Sequence, residues 1–133
     1  MTIPFWGILY LLIVTFLLAA LGDLLRVKEF GKFDNNYPRD QSSKLTELGS
    51  RVWAAQHNSW EAIIMYVPSV VVAYLVGVDS KQATIAALVF CVARFFHALF
   101  YILNIGTLRS ISYFVAFGCC LWLFWLAGNV SNA

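Results

Sequence analysis

The chain has 133 residues, of which 61% are hydrophobic and 12% are charged, and its formal net charge is +2. A water-soluble domain is about 45–50% apolar and about 25% charged, so this chain lacks the polar residues to coat a water-facing surface. It also lacks a basic cluster interleaved with exposed aromatic residues, which argues against nucleic acid as a partner. The composition predicts one integral membrane domain over residues 1–133.

Four apolar segments are long enough to cross a bilayer, which takes about 20 helical residues. They cover residues of about 3–25, 52–78, 82–103 and 108–127. Residues 26–51 are polar and rich in turn formers, so we expect them to form a loop. The turns after the second and third segments are short, which favours antiparallel neighbours. The sequence therefore predicts an all-α fold, a four-helix bundle in the membrane.

The basic residues are distributed unequally between the two ends of this bundle. Lys81 stands alone at one end, while the other end carries Arg26, Lys28, Lys32, Arg39, Lys44, Arg51 and Arg109. The positive-inside rule places the basic end in the cytoplasm.

The three cysteines, Cys91, Cys119 and Cys120, lie inside apolar segments. Their number and depth indicate small packing residues, and neither a disulfide framework nor a metal site is expected from them.

Polar side chains interrupt the second and third segments at matching depths. With a rise of about 1.5 Å per residue, Asn58 and His97 lie roughly 9 Å below the cytoplasmic surface, and Glu61 and Arg94 roughly 14 Å. Asn58 and Glu61 share one helix face, and Arg94, His97 and Tyr101 share another. We expect the two faces to meet, with Arg94 bidentate on Glu61. One interpretation is that Arg94 and Glu61 form only a buried ion pair that fixes the register of the two helices. The additional hydrogen-bonding groups of Asn58, His97 and Tyr101 favour the other interpretation, a polar cavity.

Arg109 falls in the first turn of the fourth segment, where the helix dipole is already positive. One interpretation is an interfacial anchor, and the other is a clamp for an anion at the mouth of the cavity. A thiolate is such an anion, because a nearby cation lowers the pKa of a thiol. No cysteine of this chain lies there, so a reactive thiolate would have to arrive on a ligand.

Two stretches carry a family resemblance. "RVWAAQHNSWEAII" resembles the second-helix signature of the MAPEG proteins, the membrane-associated proteins of eicosanoid and glutathione metabolism, and "ARFFHALFYILNIGTLRS" resembles the third-helix motif and following arginine of their microsomal glutathione transferase branch. The match covers all four segments in number and order. It implies a homotrimer that binds glutathione as co-substrate between neighbouring subunits near the cytoplasmic face. A bacterial inner membrane is the expected location.

The resemblance also implies roles for individual residues. Arg109 would be catalytic and would hold the glutathione sulfur as thiolate. Arg26 and Arg51 would suit the glutathione carboxylates, and the same site would be lined by Asn58, Glu61, Arg94, His97 and Tyr101. Many family members have an arginine four residues before the asparagine, and here that position is Ala54.

The expected activity is therefore transfer of glutathione to small hydrophobic electrophiles that arrive from the bilayer, with peroxidase activity towards lipid peroxides as a further expectation. Two alternatives remain. The first is a small proton-coupled transporter, which an ion pair between Glu61 and Arg94 would disfavour because a paired carboxylate does not cycle protons easily. The second is a non-catalytic membrane scaffold, in which the polar groups only set helix register.

Overall fold

A computed structural model describes residues 1–130. Over this part of the chain there are four long helices, one short helix and no strand, which confirms the all-α prediction. In chain order they are α1 (Ile3–Phe30), α2 (Pro38–Ser43), α3 (Glu47–Leu75), α4 (Ser80–Ile102) and α5 (Gly106–Val130).

The helices extend beyond the apolar segments at the basic end. The expected loop at 26–51 contains the end of α1, all of α2 and the start of α3. Lysine, arginine and glutamate are good helix formers, so α1 continues past its apolar part until Gly31, whose φ of 74° ends the helix. Apolar length alone marks where a helix is in the membrane and not where the helix stops.

Three of the long helices, α1, α4 and α5, are long and apolar enough to cross a membrane. The fourth, α3, is less apolar because it carries Asn58, Glu61 and the internal Pro68. It nevertheless contacts each of the other four helices. The least apolar long helix is thus the one around which the others pack.

Short turns join α3 to α4 and α4 to α5. After α3, Gly77 adopts φ 79° and the amide of Val78 donates to the carbonyl of Ala73 at 2.9 Å, which caps the helix end. Asp79 then caps the start of α4. Asn104, with φ 60°, ends α4 in the same conformation that Gly77 provides after α3. These caps hold consecutive helices antiparallel.

One close contact fixes α1 against α3 and α4. Tyr66 is fully buried, and its ring stacks on Phe90 with a centroid separation of 4.2 Å. Its hydroxyl donates to the carbonyl of Pro4 at 3.0 Å. Gly7 faces this hydroxyl so closely that a Cβ there would collide with it. The absence of a side chain at Gly7 therefore lets Tyr66 reach α1.

The Gly7→Ala variant tests this packing. The added methyl group has to displace the Tyr66 hydroxyl, so we expect the free energy of unfolding to fall by about 1–3 kcal/mol. Thermal unfolding in detergent measures the change. Gly118→Ala is the matched control, because Gly118 is in the middle of α5 and a Cβ there meets nothing within 4 Å. A loss of stability no larger than that of the control would contradict the Gly7 assignment.

Candidate functional site

Arg94 is the largest fully buried side chain of the described residues, with 2% of its surface exposed. It lies on α4 and faces α3. Its Nη2 atom donates to the main-chain carbonyl of Asn58 at 3.0 Å, and the amide nitrogen of the Asn58 side chain donates to Glu61 Oε2 at 2.8 Å. The polar faces of α3 and α4 therefore meet, as the depth match predicts.

The expected ion pair between Arg94 and Glu61 is not formed, and that prediction was wrong. The two ion pairs in the described part of the chain are Arg26 with Asp23 and Lys44 with Asp40. The main-chain carbonyl of Asn58, one turn from Glu61, accepts a hydrogen bond from the guanidinium instead. Depths counted from the ends of apolar segments carry an uncertainty of about one helix turn, so they do not decide which of two neighbouring acceptors is used.

Several buried polar atoms of this cluster have no hydrogen-bond partner among residues 1–130. They are Arg94 Nε, Arg94 Nη1, Asn58 Oδ1 and His97 Nδ1. Native proteins pair the large majority of such atoms, with ordered water or ligands where protein groups do not serve. Four orphaned atoms on two facing helices indicate a site that receives water or a polar guest.

A second group of side chains extends from this cluster to the end of the bundle. The Cζ atom of Arg109 lies 4.4 Å from the centre of the Tyr101 ring, a cation–π contact that holds the guanidinium in place. The Tyr101 and His97 rings are 5.5 Å apart, and the His97 and Tyr113 rings 6.3 Å. The Tyr101 ring thus connects Arg109 on α5 to the buried His97 on α4.

Tyr113 is a candidate site residue that the sequence reasoning missed. It follows Arg109 by four residues on α5, so both lie on one helix face. That spacing was the available signal, but α5 is rich in aromatic residues and the sequence does not show which of them faces α4.

Arg51 lies at the edge of the same region. Its Nε atom donates to the carbonyl of Ile102, the last residue of α4, at 3.1 Å. Cationic side chains commonly satisfy the last carbonyls of a helix in this way. The contact brings Arg51 to the end of α4, at the residue that directly follows Tyr101.

Arg26 is placed apart from the other candidates. It is buried between α1 and α2, where it pairs with Asp23 and donates to the carbonyl of Pro38 at 2.7 Å. Its guanidinium also lies 4.4 Å from the Phe33 ring centre. In the described part of the chain, no hydrogen bond or ion pair joins Arg26 to Arg94 or to the other predicted site residues.

Arg26 instead faces a polar cavity of about 350 Å³ between α1, α2 and α3. Polar side chains from all three helices line the cavity, and two tryptophans flank it. Besides Arg26, its lining residues include Arg39, Ser42, Gln56 and His57, with Trp53 and Trp60 as the two tryptophans. Thus α3 presents polar residues on two sides. One side meets Arg94 on α4, and the other meets Arg26 on α1.

A model of the MAPEG family matches residues 3–129, which is nearly the whole chain. The chain belongs to the MAPEG family. Together with the three helices able to cross a membrane, this membership indicates a membrane protein. No curated protein matches the sequence significantly. Within the described residues of this MAPEG protein, no group of three histidine, cysteine or acidic side chains is placed to hold a metal ion.

The Arg94→Met variant separates a functional from a structural role for the buried cation. Because two nitrogens of the desolvated guanidinium lack partners, we expect the ligand-free protein to keep its free energy of unfolding or to gain up to about 2 kcal/mol. Thermal unfolding in detergent without ligand measures this. Arg51→Met serves as the control at the edge of the site. A loss of several kcal/mol in Arg94→Met alone would show that the cation mainly fixes the register of α3 against α4.

Proposed function

We propose that this MAPEG protein is a glutathione transferase that activates glutathione as a thiolate and adds it to apolar electrophiles. The observation that carries the proposal is the set of four orphaned buried polar atoms on α3 and α4, next to a cation held at the helix ends. The family includes glutathione transferases and related proteins. A tripeptide with two carboxylates, an amine and a thiol offers complementary partners to such a site.

Arg109 has the surroundings to stabilise the reacting sulfur. It belongs to the first turn of α5, where the amide groups of the helix start add positive potential. A thiolate beside it gains both interactions, so the thiol loses its proton to solvent more readily. The sulfur then forms a bond to the electrophilic carbon with its electron pair, and the leaving group departs with the pair of the broken bond.

A lipid hydroperoxide would react with the same thiolate nucleophile, at its terminal oxygen and not at carbon. The thiolate attacks the terminal oxygen, the O–O bond breaks, and the alkoxide takes a proton. The attacking glutathione is left as its sulfenic acid. The thiol of a second glutathione then attacks the sulfur of this sulfenic acid, releasing water and glutathione disulfide. This peroxidase reaction needs only the same activated thiolate, so it is a second activity that we propose for one site.

The remaining candidate residues have chemistry suited to the tripeptide. Glu61 matches the glutathione amine, and Asn58 and His97 offer hydrogen bonds. Arg51 precedes Ala54 by three residues on the same face of α3. It therefore supplies a cation close to where many relatives have an arginine and this chain has alanine. Arg94 and Tyr101 line the inner wall in this proposal.

We further propose a homotrimer with each glutathione site shared by two copies. Glu61 is exposed in the single chain although it lies well inside the apolar part of the molecule. A charged side chain at such depth is costly unless protein covers it. Arg26 also lines a cavity between α1, α2 and α3 to which Arg109 on α5 does not contribute, so a neighbouring copy is the simplest way to bring the two cations to one ligand.

The charge distribution supports a cytoplasmic location for this site, in the inner membrane of a bacterium. Both α2 and the polar ends of α1 and α3 lie at the basic end of the bundle, and Lys81 is at the other end. The positive-inside rule places that end in the cytoplasm. The same orientation exposes the proposed site to glutathione in the cytoplasm.

Proton-coupled transport is the second candidate, and one observation favours it. Glu61 is not paired with Arg94, so the argument that an ion pair immobilises this carboxylate does not apply. Proton-driven dye efflux by reconstituted protein, together with failure to bind glutathione, would identify a transporter.

The Arg109→Ala variant tests the thiolate role. Loss of the cation should lower turnover with a chlorodinitrobenzene-type electrophile by about 10²-fold, because charge stabilisation at the reacting sulfur is lost. The ultraviolet absorbance of bound thiolate should disappear in parallel. Lys28→Ala removes the same charge from the same end of the bundle and should retain both signals. Equal turnover in the two variants, or no thiolate absorbance in the unmodified protein, would refute the assignment.

Mixing two inactive variants tests the shared site. Arg26→Gln and Arg109→Ala chains should each turn over slowly alone. Co-expressed chains should recover activity, since a mixed trimer contains sites that draw both native arginines from different copies. The trimer itself is checked by native mass spectrometry in detergent. If the mixture never exceeds the mean of the two variants, the site lies within one chain.

A further inference from the structure

A second cavity lies at the other end of the bundle, between the start of α1, the end of α3 and the start of α4. Its volume is about 460 Å³, within the range of about 300–1,000 Å³ that is usual for small-molecule sites. Thr84 lines it and precedes His97 by 13 residues on α4, so the cavity is about 20 Å from the candidate glutathione site. We call it the distal cavity.

The distal cavity exists because the residues that face inwards at this level are small. Ala73 and Gly77 on the α3 side oppose Ala83 on α4. Its inner wall is closed by Val70 and Leu123, which are 2% and 0% exposed. Packed protein interiors leave few voids larger than a water molecule, so a space of this size between the helices is large enough to admit a guest from the bilayer.

The chemistry of the walls selects an uncharged occupant. The described residues that line the distal cavity include no charged side chain, and apart from the Tyr74 phenol their polar side chains are the hydroxyls of Thr2, Ser80 and Thr84. Asp79, next in the chain, is already used as the cap of α4. Lys81, on the other side of Ser80, is exposed and does not line the cavity either. A charge buried inside the cavity therefore meets no charged side chain in its wall, whereas hydroxyls pair with an alcohol or ester.

The position of these groups gives the occupant a direction. The hydroxyls lie at the helix ends, where α1 and α4 begin, and the buried Val70 and Leu123 lie deeper in the bundle. At the mouth, Ile3 and Tyr74 are 45% and 64% exposed on the apolar surface. An amphiphile that enters from the bilayer would therefore leave its polar end near the surface and insert its chain between the helices.

We propose that the distal cavity binds a neutral single-chain lipid of the monoacylglycerol or fatty-alcohol class, with its hydroxyl end at Thr2, Ser80 and Thr84. Three hydroxyl groups at one end and apolar walls at the other match one polar head and one acyl chain. A phospholipid has a charged phosphate that this cavity does not accommodate. This proposal does not depend on the glutathione site.

Photolabelling of the full chain in phosphatidylcholine nanodiscs tests the proposal. The probe is a monoacylglycerol with a diazirine in its acyl chain, and labelled peptides are located by mass spectrometry. We expect saturable labelling at the start of α1, the end of α3 and the start of α4. Unlabelled monoacylglycerol should compete at least about tenfold better than the fatty acid of equal length, because the cavity wall contains no cationic side chain to pair with a carboxylate.

Two variants and a control locate the site. Ala73→Phe and Ala83→Phe fill the cavity from opposite walls and should each lower labelling by about tenfold. Leu75→Phe enlarges a side chain that is 74% exposed beside the cavity and should leave labelling unchanged. Ala83 is only partly buried, so its variant remains informative if Ala73→Phe folds poorly. Glutathione affinity should be unaltered in all three, about 20 Å away.

Four results would overturn the proposal. They are unsaturable labelling spread over the lipid-facing surface, equal competition by the fatty acid, labelling that neither filling variant reduces, and cross-links to a second copy of the chain that show the mouth to be covered. A failure of glutathione binding would leave the lipid result unaffected, so the two proposals fail separately.

Discussion

A guanidinium buried between two apolar helices has to find acceptors, and this requirement shapes the centre of the molecule. Arg94 obtains one acceptor from the main chain of α3, at Asn58. Its other nitrogens have no partner among the described residues. A fully apolar contact between α3 and α4 would pack at lower cost. The chain therefore maintains a polar region at a position where stability alone favours leucine or methionine.

The same requirement explains why α3 is central and also the least apolar of the long helices. Its main chain accepts one hydrogen bond from Arg94 of α4 on one side, and its side chains face the Arg26 cavity on the other. The apolar helices α1, α4 and α5 surround it and supply the membrane-facing surface. Membership of the MAPEG family agrees with the membrane-facing character of these three helices.

The two ends of the bundle differ in chemistry. At the basic end, cations and unsatisfied polar atoms suit an anionic guest. At the other end, hydroxyl groups and small apolar residues suit a neutral guest of the bilayer. Along α4 the two regions are separated by about 20 Å, which is most of a membrane thickness. If both proposals hold, one small domain binds a water-soluble and a lipid-soluble molecule at separate sites.

The sequence by itself determined the membrane class, three of the four predicted spans and, to within about one helix turn, the level at which polar residues of α3 and α4 meet. These properties follow from composition and from the fixed rise of a helix, and Asn58 and Arg94 are indeed in contact. The motifs around them also sufficed for the family, which the match to residues 3–129 confirms.

Only the tertiary structure decided which side chains form hydrogen bonds and contacts with one another. It replaced the expected Glu61 partner of Arg94 by the Asn58 carbonyl, brought Tyr113 to His97, and placed Arg26 on another side of α3. Each of these outcomes depends on how the helices rotate about their axes and where their ends lie. Periodicity does not encode those angles, because they result from the packing of side chains that are distant in sequence.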